Sequence, residues 1–357
     1  MKISSYDEKQ TSFLAHKTRQ QLIERAFISP KIADYTAGGA AGGTTERFTG
    51  AIAVPGGAVL VPYSAGVVGL LSSDGTYTDG PAAGGSARFR GGCLTDNNLV
   101  IFAPALQGNI GIYNLDTKLF SLGAAVSNGT GSGPGFAGCC RMKNGMILLA
   151  PRGRDTVGLY NPYTDQYTEG PAHGLGANAF SGCVPLPNGK VLLIPYDGDF
   201  FMFYDYRTNT LEQGPASGGT AQYSGAVALS NGDVVCSPYS KNGVGIYRFA
   251  TNTVYVKPDA TLSAAAKFLG CCLTYDGRVL FVPYNHPNVM CYDPTNDTLV
   301  TTTAVAGATK FAGAAQLPNG KIALAPYSNA NVGIVDTNAG AARSTALRCN
   351  MYFNSTI

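Results

Sequence analysis

The side chains able to do chemistry are few, and their spacing assembles no catalytic set. The 357-residue chain holds three histidines, His16, His173 and His286, and none sits in a pattern that pairs a nucleophile with a base. Asp155 and Asp197 could serve glycoside chemistry only if the fold brought their carboxyls within about 5–9.5 Å. Asp197-Gly198-Asp199 offers too few oxygen donors for calcium and reads as a turn. Nine cysteines include the adjacent pairs Cys139–Cys140 and Cys271–Cys272 but no CxxC spacing. They are expected to be reduced, buried thiols, with a thiolate metal site in a central channel as the sharper alternative. No glycine run opens a helix, so no phosphate-binding loop is expected. These residues predict neither a cofactor nor a metal.

Composition narrows the partners. Charged residues are 13% of the chain, about half the usual share, and the net charge of +3 is dispersed. No basic stripe suggests nucleic acid, and no apolar run suggests membrane insertion or a secretory signal. With 46 glycines and 20 prolines in fixed places, the surface polarity must come from short turns and uncharged side chains.

Those turns belong to a repeat. An aromatic residue, any residue, then Gly recurs at Phe48, Phe89, Phe136, Phe180, Tyr223, Phe268 and Phe311, at intervals of 41, 47, 44, 43, 45 and 43 residues. Periods of this length mark propellers and solenoids. Each copy reads as a first strand with small residues after the Gly, a turn, and a second strand ending at Pro62, Pro104, Pro151, Pro195, Pro238, Pro283 or Pro326. Proline lacks an N–H and suits a strand end. Asn188-Gly189 and Asn319-Gly320 read as two-residue hairpin turns. A variable loop, a third strand, a turn rich in Asp, Asn and Thr, and a short outer strand follow. No helical period lies inside a repeat. The fold class is therefore all-β: a seven-bladed β-propeller of four-stranded blades, with a short N-terminal helix.

The ends of the chain carry the closure. Tyr35-Thr36-Ala37-Gly38 matches the outer-strand segments at Tyr77 and Tyr167, and lies 13 residues before the next repeat aromatic, as Tyr167 does. The repeat from Phe311 supplies three strands only. The segment around Tyr35 is expected to complete that last blade, with the tail Met351–Phe353 as the competing edge. The chain then divides into an N-terminal helical arm, 1–32, and the propeller, 33–357, with a tail at 340–357. Ser5-Tyr6-Asp7-Glu8 is a capping box for a helix over 5–28. That polar helix is expected either to dock a partner or sister subunit, or to lie on its own propeller.

Binding residues are sought where the blades differ. The loops from second to third strand vary most, and they present Arg152, Arg154, Asp155, Asp197, Asp199, Lys241 and His286 as the candidate binding face. Tyrosine follows the repeated proline at Tyr63, Tyr196, Tyr239, Tyr284 and Tyr327, with Ala105 and Arg152 in its place elsewhere. It reads as repeated inter-blade packing or as an aromatic rim that stacks sugars or clamps a partner.

The blades resemble kelch-type repeats in a diverged form. Asn188-Gly189-Lys190-Val191, Phe203-Tyr204-Asp205, Thr208-Asn209-Thr210 and Gly214-Pro215 follow that order. The paired glycines of the family are replaced by Pro-Tyr, as at Pro195-Tyr196, and its tryptophan is absent. Ser72-Ser73-Asp74-Gly75-Thr76 looks like a sialidase aspartate box with a residue missing, and it occurs once. The weakly charged composition with a leading helix also resembles virion-associated propellers of bacteriophages. That resemblance implies a non-enzymatic structural or adhesion module of a virion, made in the host cytoplasm. Its arm would dock it to other virion proteins, and its variable face would meet a neighbouring protein, receptor or host glycan. The alternatives are a carbohydrate-active enzyme with its site in the axial pocket, and a cytoplasmic kelch-like adaptor.

Overall fold

The first residue of each repeat sets the blade. In the computed structural model, which describes residues 34–42, 46–84, 89–127 and 135–337, all seven repeat aromatics are fully buried. Each pairs across the sheet with its repeat proline, from Phe48 with Pro62 to Phe311 with Pro326. The proline ends that ladder without stranding an N–H. Twenty-eight strands form seven separate four-stranded antiparallel sheets. Blade 4 is typical: Phe180–Pro185 lies innermost, followed outward by Val191–Pro195, Phe200–Asp205 and Thr210–Ala216. We number the blades 1 to 7 from Phe48. The arm at 1–32, its helix and the tail at 340–357 lie outside the described residues. Among the described residues the one helical element is a 3-10 turn, Ala260–Leu262, and no helix is long and apolar enough to cross a membrane.

Blade 7 is made from both ends of the described chain. The strand Asp34–Ala40 pairs antiparallel with Asn331–Asp336, with Tyr35 opposite Val335. The Tyr35 ring lies 6.0 Å from that of Phe311, so the spacing that linked Tyr35 to an outer strand reflects a real place in the sheet.

Two packing rules shape the rest. The innermost strands meet around the axis through their repeat glycines: a Cβ on Gly313 would stand 2.7 Å from the Cα of Gly50, and one on Gly91 3.0 Å from that of Gly138. Gly91 and Gly313 also have φ of 62° and 80°, a region costly for other residues. Further out, each aromatic ring needs room over the third strand. A glycine provides it in five blades, and a Cβ on Gly158 would reach 2.6 Å from the Phe136 ring. Met202 and Met290 take that place in blades 4 and 6, and there the ring packs on an imidazole, Phe180 on His173 at 5.1 Å and Phe268 on His286 at 4.8 Å.

The turns differ from the two-residue type expected. Gly189 donates to the Leu186 carbonyl, and Leu186 in turn to that of Lys190. Only Gly189, at φ 86°, is left-handed, while Asn188 is not. This is a longer hairpin loop ending in a glycine bulge, in which the Asn188 carboxamide accepts the Lys190 amide at 3.1 Å. At the same end of the blade, where the third strand finishes, the hydroxyls of Tyr160, Tyr204, Tyr247 and Tyr292 donate to Asp165, Asn209, Asn252 and Asp297, each five residues on. Those acceptors have φ of 51° to 53°, so the tyrosine holds a left-handed turn residue in place.

Candidate functional site

Small residues on the innermost strands leave an open axial channel. Its cavity is about 340 Å³ and is walled by Gly50, Ala51, Gly92, Ala137, Gly270 and their neighbours. The wall hydroxyls are turned into the frame: Thr49 donates to the Phe89 carbonyl at 2.6 Å and Ser224 to that of Phe268 at 2.8 Å, each stitching one blade to the next.

The polar groups that face the cavity sit at its mouth. Tyr196, Tyr239, Tyr284 and Tyr327 line it from blades 4 to 7, with Arg90 and Arg152 from blades 2 and 3. The rings touch in pairs, Tyr196 with Tyr239 at 5.5 Å and Tyr284 with Tyr327 edge-on at 5.4 Å. Arg152 lies 4.1 Å over the Tyr196 ring, and Arg90 lies 5.5 Å from that of Tyr63, which is itself buried. Burial, with Tyr196 and Tyr284 close by, pushes the Tyr239 phenol up to about 12. Burial and the Glu46 carboxylate, 2.7 Å from its hydroxyl, push Tyr327 up as well. Burial raises Tyr284 too, so Tyr239, Tyr284 and Tyr327 are neutral hydroxyls at physiological pH. Burial and then the charge of Arg90 lower the Arg152 pKa, although a guanidinium stays protonated.

The sequence-predicted residues disperse. Arg152 alone lines the cavity. Arg154 is buried, lies over the Phe136 ring at 4.7 Å, and donates to the Ser127 carbonyl at 3.1 Å and to Glu169 at 2.5 Å. Asp155 accepts the Gly174 amide and Asp197 the Ala221 amide, so both carboxylates anchor crossing loops. Asp199 is exposed. Lys241 donates to the carbonyls of Ser217 and Gly218 and to Gln222. His286 bonds through Nδ1 to the backbone of Asn288 and borders a second, open cavity beside Lys267. Neither Asp155 nor Asp197 lines the axial cavity. Arg90 is the residue the sequence reading missed. Its signal was positional: it follows the repeat aromatic where other blades carry Thr49, Ala137, Ser181, Ser224, Leu269 and Ala312.

The eight described cysteines are free thiols. Cys139 and Cys93 approach to 3.5 Å across the blade 2–3 boundary. Bonding to Cys93 and burial hold the Cys139 pKa high, and bonding to Cys183 and burial do the same for Cys140. Among the described residues no three His, Cys, Asp or Glu side chains gather as metal ligands would.

No family model matches the chain, and no curated protein matches it. Solved structures do. A streptogramin B lyase superposes with a TM-score of 0.72 at 12% identity, covering 86% of this chain and 99% of the other. A catalytically inactive histidine-to-alanine virginiamycin B lyase from Staphylococcus aureus, solved with quinupristin, gives 0.71 at 11% identity, covering 85% and 99%. The WD40 β-propeller domain of Doa1 gives 0.62 at 12% identity, covering 88% and 99%. At such identities these likenesses establish the propeller fold alone.

Proposed function

We propose that this protein is a non-catalytic binding module that receives a glycan at the channel mouth. The observation that carries this is the convergence of Arg90, Arg152 and four tyrosines on one concave recess whose remaining wall is mostly small residues. Tyrosine faces pack on sugar rings, and neutral hydroxyls donate and accept. A recess of about 340 Å³ suits a few sugar units better than a protein surface, which needs a broad contact. A propeller is a fold suited to interaction, and the placement in a phage particle, with residues 1–32 docking to other virion proteins, is part of the same proposal. It rests on the composition and the capping box at Ser5–Glu8.

The enzyme reading has less support. A histidine-to-alanine change leaves the virginiamycin B lyase catalytically inactive, and no histidine lines this cavity among the described residues. The carboxylates at Asp155 and Asp197 are engaged by loop amides. The test is an immobilised glycan panel probed with the full chain and with Tyr239→Ala. Saturable capture that the variant loses by about tenfold or more, with the glycan recovered intact, is the expected result. Cleaved or eliminated glycan in the wash would identify an enzyme and sink the reading, as would capture that Tyr239→Ala leaves unchanged.

A further inference from the structure

We infer that the glycan is acidic: the mouth takes a carboxylate-bearing sugar, with the carboxylate held between Arg90 and Arg152 and the sugar ring against the tyrosines. This rests on the binding reading above and adds the charge of the ligand.

The arginines of this protein fall into two groups. Eight lie among the described residues. Six of them, Arg47, Arg141, Arg154, Arg207, Arg248 and Arg278, have a carboxylate within ion-pair distance. The two that form no ion pair among the described residues are Arg90 and Arg152, and these are the two that line the channel mouth. Both are half-buried. Glu46 accepts from Tyr327, and Asp197 accepts the Ala221 amide and offsets part of the charge on Arg152 without forming an ion pair with it. The two guanidiniums are close enough that the charge of Arg90 disfavours that of Arg152.

Two like charges held together in a recess repel, and a ligand anion relieves that repulsion. A carboxylate suits the arrangement because a guanidinium offers it two parallel N–H donors. Orientation is supplied by the frame. Arg152 is fixed by the Tyr196 face and by Asn178, whose carboxamide oxygen lies 3.4 Å from Nε. Arg90 is steadied by Tyr63. Pre-set donors lose less entropy when the ligand arrives. The aromatic arc from Tyr196 to Tyr327 then gives the ring of the sugar a surface that a bare inorganic anion would not use.

The experiment titrates the full chain by calorimetry with a uronate trimer and with sialyl-lactose, each against its own methyl ester, which keeps the ring and removes the charge. Acetate and inorganic phosphate are run alongside. At least one acid should bind about tenfold or more tighter than its ester, since hydrogen bonds to charged groups are among the stronger ones. The preference should shrink with added salt. Arg90→Gln and Arg152→Gln should each abolish it, and Arg152→Lys should retain part of it. Melting curves on all three variants establish that they are folded. If neither acid outbinds its ester, or if the glutamine variants keep the preference, the acidic-sugar inference falls while the neutral-glycan reading stands. If acetate or phosphate binds as tightly as the acidic sugars, the site is an anion site and the sugar half falls. If neither acid binds, the inference falls, and the glycan panel decides the broader reading by itself.

Discussion

Between the blades, each repeat supplies the same parts: a buried aromatic, the proline opposite it, and a small residue at the axis. At the channel mouth the repeats diverge. Blades 4 to 7 each place a tyrosine after the proline, whereas blades 2 and 3 contribute Arg90 and Arg152, with Ala105 standing where blade 2 would have its tyrosine. The contrast separates two demands on one sequence. Packing seven equal wedges requires the same volume seven times over. Recognition requires an asymmetric constellation, and a repeat becomes asymmetric only where copies depart from one another. Positions that repeat should therefore govern stability, and positions that break the repeat should govern binding.

The largest effect should come from opening the ring. Deleting residues 1–40 removes Tyr35 and the outer strand of blade 7. Tyr35 is half-buried, so its loss costs up to the roughly 1.5–3 kcal/mol of a fully buried large side chain, and each lost ladder hydrogen bond costs about 0.5–1.5 kcal/mol. Together these are a sizeable part of a typical stability of about 5–15 kcal/mol. Deleting residues 1–29 spares that strand and should leave the denaturation midpoint close to that of the full chain. Equal midpoints for both deletions would remove Tyr35 from the stability argument. Next in size is Phe180→Ala, expected to cost about 3–5 kcal/mol by chemical denaturation because the ring is fully buried. If it cost no more than a rim substitution, the division between layers would be lost.

Arg154→Ala tests the boundary between the layers. The residue breaks the repeat, yet it is buried and holds Ser127 and the outer-strand Glu169. Glu169 is 43% exposed and can recover water, so the loss should be about 1–3 kcal/mol, with glycan binding little changed. Arg152→Gln should do the reverse, shifting stability by less than about 0.5 kcal/mol while weakening glycan binding. A matching pair of stability losses would mean that Arg152 is a structural arginine like Arg154.

These cases also mark what sequence reasoning could reach. The period, the Phe–Pro pairs and Tyr35 were readable because each reports a constraint imposed many times or matched in spacing. The glycines under the aromatic rings, such as Gly158, were not recognised, because a missing side chain announces no partner. The loop residues Asp155, Asp197 and Lys241 were variable as expected, but variability does not say whether a side chain turns to the channel or back to its own loop. Arg90 stands inside the repeat motif, at the position between the aromatic and the glycine that the motif leaves unspecified.

The smallest effect should separate the layers by pH. His173 breaks the repeat, in the crossing from blade 3 to blade 4. Its Nε2 lies 3.1 Å from the Arg154 carbonyl, its Nδ1 accepts the Leu175 amide at 3.1 Å, and its ring packs on Phe180. An imidazole that donates through one nitrogen and accepts through the other is neutral. Burial lowers its pKa below the ordinary 6.5, and burial does the same to His286. The unfolded chain therefore takes up protons first as pH falls, and stability declines from about pH 7 downward until the folded histidines protonate too. The repeated layer responds in a different window. Bonds from Arg207 hold the Asp205 carboxyl down at about 2, and Glu169 and Asp297 are held below the ordinary carboxylate range. Their contributions remain until the pH drops toward and below about 4. Burial lowers the Lys267 pKa to about 8, so urea midpoints are compared between about pH 7 and pH 5.5, below that titration, where the histidines dominate the change. The intact protein should lose stability across that interval, by an amount that the double variant His173→Gln and His286→Gln makes smaller. Opposing slopes, or slopes that coincide in the two proteins, would show that the one-off histidines are not held neutral by the loops they anchor.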